Sequence, residues 1–115
     1  MKEITIQEKK YPVVANMQTI LNYEEISGNN FFTENFDTLK KRMAIILAAA
    51  LAADSETELT VEKLKGEGKL EDVLALIAAY TTVMDAIEVF FKIPEIEKKK
   101  QEQEAKKGED DPKNV

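Results

Sequence analysis

Residues 70–91 read LEDVLALIAAYTTVMDAIEVFF. Leu70, Val73, Leu74, Ile77, Tyr80, Thr81, Met84, Ile87 and Phe91 recur there at spacings of three and four, which predicts one long amphipathic helix with that stripe against a core. Glu71 and Asp72 stand in its first turn, where negative charge offsets the helix dipole, and Pro94 is expected to stop it. Ala79, Val83, Ala86 and Phe90 make a second apolar face, suited to a dimer or to a client protein. A helix of this length needs apolar partners, and the rest of the chain supplies them.

Upstream, Phe36, Leu39, Met43, Ile46, Leu47, Ala50 and Leu51 keep the same period, predicting a helix from about Phe36 or Asp37 to Ala53. Its second half is apolar all round and rich in alanine, so neighbours pack closely on more than one side. Asn16 is placed to cap an earlier helix that runs to about Ser27 and leaves through Gly28, with Met17, Ile20, Leu21 and Glu24 in period and Tyr23 or Ile26 widening the face. Phe31 and Phe32 follow the turn residues Gly28-Asn29-Asn30. Thr60 caps a short helix over Val61–Lys65, and Gly66-Glu67-Gly68 breaks the chain before the long helix. At the start, Glu3 to Gln7 alternates with Ile4 and Ile6 on one face, and Tyr11-Pro12-Val13-Val14 follows a polar step, predicting a β-hairpin with Pro12 on an edge.

These elements give an α+β domain that is mainly helical: an N-terminal β-hairpin packed on about three main helices plus a short connecting helix. Residues 1–93 are read as this single domain. Residues 94–115 lack a stripe to bury and are read as a charged tail, disordered past Ala105.

Composition narrows the function. The chain has no cysteine, histidine or tryptophan, which removes thiolate chemistry, the usual near-neutral acid–base group and the common nitrogen ligand of metals. Asp54-Ser55-Glu56-Thr57-Glu58 alternates oxygen donors, but Leu59 and Lys65 stand where a calcium loop needs glycine and a bidentate glutamate. Ser27 has no activating base, and Gly66-Glu67-Gly68 lacks the lysine of a phosphate loop. No catalytic residue, cofactor site or metal site is therefore expected.

Residues 1–93 hold ten Lys/Arg against fifteen Asp/Glu, so a nucleic-acid partner is disfavoured. The basic triplet Lys40-Lys41-Arg42 lies early in a helix, where positive charge calls for an acidic neighbour from the fold or a partner. The run Met43–Ala53 is too short to span a bilayer and the N-terminus is not a signal sequence, which points to the cytoplasm and no membrane partner. What remains is protein binding. Aromatic anchors dominate such interfaces, and the candidates are Phe31, Phe32, Phe36 and the face of Ala79, Val83, Ala86 and Phe90.

Several of these pieces, in their order, resemble one family. Lys2-Glu3-Ile4-Thr5-Ile6, Tyr11-Pro12-Val13, Tyr23-Glu24-Glu25-Ile26-Ser27-Gly28, Phe31-Phe32, Ala48 to Asp54, and Leu59-Thr60-Val61-Glu62 before a final amphipathic helix are similar to the small tail assembly chaperones of long-tailed phages and prophages. The resemblance covers residues 2 to about 92. It implies a non-catalytic protein in the bacterial host cytoplasm that binds the tape-measure protein and assists assembly of the tail-tube protein. A homo-oligomerising structural or regulatory module is the alternative expectation.

Overall fold

Alternating apolar residues fold the N-terminus back on itself. In the computed structural model, which describes the backbone of residues 1–109 and the side chains of residues 1–92, β1 (Lys2–Ile6) pairs antiparallel with β2 (Lys9–Val13), Ile4 facing Tyr11. Ile4, Ile6, Tyr11 and Val13 all point into the core. The two-residue turn, Gln7-Glu8, has φ of 51° and 67°, the left-handed pair that matches strand twist and that Asn-Gly usually supplies. Holding two ordinary side chains there costs energy. Gln7 Nε2 helps anchor the turn by donating to the Lys63 carbonyl at 3.0 Å.

Helix α1 (Met17–Ser27) begins on a reciprocal cap: Asn16 Oδ1 accepts from Thr19 N–H and Thr19 Oγ1 accepts from Asn16 N–H. It ends at Gly28, whose φ of 75° is the left-handed exit that glycine adopts without a Cβ penalty. Helix α2 (Leu39–Ala53) starts later than periodicity suggested, because Thr38 accepts the Lys41 N–H and fixes the first turn there. Thr60 caps the short helix α3 (Val61–Lys65) in the same way. At the following break, a Cβ on Gly66 would run into the Asp72 carboxylate, which accepts the Glu67 and Lys69 amides.

Helix α2 is the centre of the fold. It packs against α1, β2, α3 and α4 (Leu70–Glu109), and Ala44, Ile45, Ile46, Ala48, Ala49 and Ala50 are all buried. Each of the larger buried side chains contributes about 1.5–3 kcal/mol through burial, and the alanines let neighbouring backbones come close. Val14 N–H donates to the Ala49 carbonyl and Asn22 Nδ2 to the Ala48 carbonyl, tying the exit of β2 and the middle of α1 to the same turn of α2. The domain is thus mainly helical, with the hairpin laid against α2 and α4.

Two expectations about α4 are corrected. The expected stripe meets the core only in its second half, through buried Ile87 and partly buried Tyr80, Met84 and Phe91, joined there by Leu76, Ala79 and Val83, whereas Leu70 is 70% exposed and Leu74 56%, with Val73 and Ile77 also in solvent. The narrower residues Ala79 and Val83 lie in the core that α4 shares with β1 and α2. The helix also continues through Pro94 to Glu109. Good helix formers after the proline favour that continuation. Of the expected charged tail, 94–109 belong to this helix, including 106–109 where disorder was expected, and 110–115 lie outside the described residues. By length and composition alone, Leu70–Lys92 is apolar enough to cross a membrane, its most apolar 18 residues reaching a mean hydropathy of 1.7, unlike the shorter Met43–Ala53 run.

Candidate functional site

The short stretch between α1 and α2 decides which aromatics reach the surface. Asn30 Oδ1 accepts the Phe32 N–H at 2.9 Å, and Glu24 Oε2 accepts the Phe31 N–H at 3.0 Å, starting a single 3-10 turn over Phe31–Thr33. Adjacent residues in so tight a turn point in different directions. Phe31 goes inward, edge-on to Tyr23 at 6.0 Å and stacked on Phe91 at 6.4 Å. Phe32 goes outward and is 67% exposed.

Although exposed, Phe32 has its own supports. Its ring meets Phe31 edge-to-face at 5.4 Å and Phe91 at 6.1 Å, and Phe91 in turn meets Phe90 at 5.0 Å. Together with Met17 and Leu21 from α1 and the Glu24 side chain, Phe32, Phe90 and Phe91 line a shallow groove of about 600 Å³. Met17 is itself 69% exposed, so the groove wall on α1 is a flexible thioether in water. On its other side, Phe90 borders a smaller depression of about 220 Å³ with Ala86, Val89 and Val14.

A carboxylate braces this aromatic platform from behind. Glu34 accepts from the Tyr23 hydroxyl at 2.6 Å and Asn29 Nδ2 at 2.8 Å, and pairs with Lys41 Nζ at 3.0 Å. The Tyr23 hydroxyl, then the Asn29 amide and Lys41, hold the Glu34 carboxyl down at about 2. Burial, followed by the bond to Glu34, pushes the Tyr23 hydroxyl well above the usual phenol range. With donors already on both its oxygens, Glu34 ties the loop between α1 and α2 to both helices.

A second groove, of about 550 Å³, lies on the other side of α1. Ile26, Met43, Ala44, Leu47 and Val61 form its apolar walls, and Lys40 and Lys41 stand at its edge. Among the described residues, no group of three or more Asp or Glu is placed to hold a metal ion.

The candidate binding residues divide between surface and interior. Phe32 and Phe90 come together in one groove. Phe31, Ala79 and Val83 are core residues, Phe36 is half-buried with its ring 5.3 Å from that of Tyr23, and Ala86 is half-buried beside Phe90. The Ala79–Val83 face is therefore corrected from binding surface to core, because it is the face that fits α2 and β1. Met17, Leu21 and Phe91 were missed as groove residues. The spacing of Met17 and Leu21, four apart and both apolar, was a signal that read equally well as core.

No family model, curated protein or solved structure matches the chain. The description drawn from the resemblance, phage tail assembly, prophage, chaperone and tape-measure binding, is accordingly corrected to the one that the fold carries: a mainly helical α+β protein with an N-terminal hairpin.

Proposed function

We propose that this protein is a non-catalytic binding module that receives an apolar helical segment of another protein in the groove between α1 and the middle of α4. The observation that carries the reading is Phe32, an aromatic ring fixed by two neighbouring rings yet left in water. A ring held in place before its partner arrives loses little freedom on binding, and aromatics of this kind anchor interfaces. Met17 and Leu21 widen the same surface, and a contiguous exposed apolar patch is a mark of interaction sites.

The test places a photo-crosslinking benzoylphenylalanine at position 32 and irradiates the protein in its own host. The expected result is one discrete adduct mapping to an apolar helical segment of a different protein, lost in Leu21→Asp while the circular dichroism spectrum stays the same. A folded protein that gives no adduct overturns the proposal.

Self-association is a second reading, favoured by a separate observation. Leu70, Val73, Leu74 and Ile77 give the first turns of α4 an apolar face in solvent. Pairing of that face between two copies would appear as a dimer in sedimentation that Leu74→Glu returns to monomer.

A further inference from the structure

The groove between α1, α2 and α3 differs from the Phe32 groove in its charge. Lys40, Lys41 and Arg42 sit in the first turns of α2, near the positive end of the helix dipole, where a cation is unfavourable unless something balances it. Two of the three are balanced within the fold. Lys41 Nζ bridges Glu34 and Asp37 at 3.0 and 3.1 Å. Arg42 Nε donates to the Phe36 carbonyl at 2.9 Å, and its guanidinium carbon lies 5.4 Å from the centre of the Tyr80 ring. Lys40 has no ion pair or side-chain hydrogen bond among the described residues, and it stands at the edge of the groove. Among the described residues, no carboxylate lines that groove.

From this unbalanced cation beside an apolar trough, we infer that the groove docks an amphipathic helix of a partner protein that carries Asp or Glu next to its apolar anchors. The shape of the groove fits a helix. Lys40, Met43, Ala44 and Leu47 recur at three and four along α2, forming a ridge about 10 Å long, and Ile26 and Val61 flank it from α1 and α3. A second helix meets such a ridge with its own row of side chains, and acidic groups at its end reach Lys40. An anionic bilayer is the poorer fit, since the chain's net charge of −6 repels it. The inference is independent of the Phe32 groove.

The experiment measures fluorescence anisotropy of two labelled helical peptides with the same leucine pattern, one flanked by glutamates and one by lysines, against the full chain. The glutamate peptide should bind about fivefold more tightly at low salt, and the gap should close as salt rises. Lys40→Glu should reverse the order. Val61→Asp and Ile26→Asp, both at partly exposed positions, should abolish binding with the fold intact, whereas Phe32→Asp should leave it unchanged. Equal affinity for the two peptides, an order that survives Lys40→Glu, or binding that survives both groove substitutions overturns the inference. Loss of binding in Phe32→Asp moves the peptide to the other groove and overturns it equally. Binding of vesicles containing phosphatidylglycerol, dependent on Lys40, with neither peptide bound, assigns the groove to lipid and also overturns it.

Discussion

The two faces of α4 are both apolar, yet one is interior and the other is in water. The inner face is made of Leu76, Ala79, Val83 and Ile87, and the outer one of Leu70, Val73, Leu74 and Ile77. Summed hydrophobicity would choose the outer face, with its larger side chains. The inner one is nonetheless the face that meets β1 and α2, and the stripe that begins at Leu70 reaches the core only further along the helix, where Tyr80, Met84 and Phe91 pack against it. In this protein, apolar character made a face eligible for burial, and its position along and around α4 relative to β1 and α2 decided what was buried.

That contrast can be broken most severely at Val83, which has no exposed surface. Val83→Asp places a carboxylate in the core and should cost about 4 kcal/mol or more, most of the stability of a domain this size, seen as loss of the cooperative urea transition. Ala79→Leu tests fit in the other direction. By giving the inner face the bulk of the outer one, it should destabilise by about 1–3 kcal/mol in the same titration, even though it adds apolar surface. At the opposite face, Leu74→Glu should change stability by no more than about 0.5 kcal/mol. A large loss there would mean that the outer face is also buried, in a dimer.

Acid sharpens the comparison further by acting on only one part of the molecule. The folded-state value of Glu34 lies below its ordinary one of 4.5, at about 2, so the stability it supplies is present above pH 4.5 and is lost as the pH falls toward 2. Glu34→Gln should flatten this portion of the stability profile. Aromatic signals from Phe31, Phe32 and Phe91 should broaden over that window before the methyl signals of Val83 and Ile87, since the clamp braces the aromatic platform and has no part in the inner seam of α4.

Local structure was legible because its causes are local. Asn16, Gly28 and Thr60 cap the helices they were expected to cap, and the alternation around Ile4 and Ile6 gave the hairpin. The start of α2 was displaced since Asp37 and Thr38 are both reasonable caps, and only the geometry of the Thr38 hydroxyl distinguishes them. Which stripe of α4 faces inward depends on the shape of α2 and the hairpin, which no window of sequence contains. The candidate site was legible in part for the same reason. Four phenylalanines were visible, but the 3-10 turn that sends Phe31 in and Phe32 out depends on Asn30 and Glu24 accepting two successive amides.

The hairpin completes its packing on the last helix, since Ile4 and Ile6 join the same core as Val83 and Ile87. A ribosome adding about 5–20 residues per second makes the second pair roughly 4–16 s after the first. During translation the hairpin can meet α2 through β2 early, while the part of β1 that α4 covers waits, and the order of synthesis leaves that closure to the last of these helices.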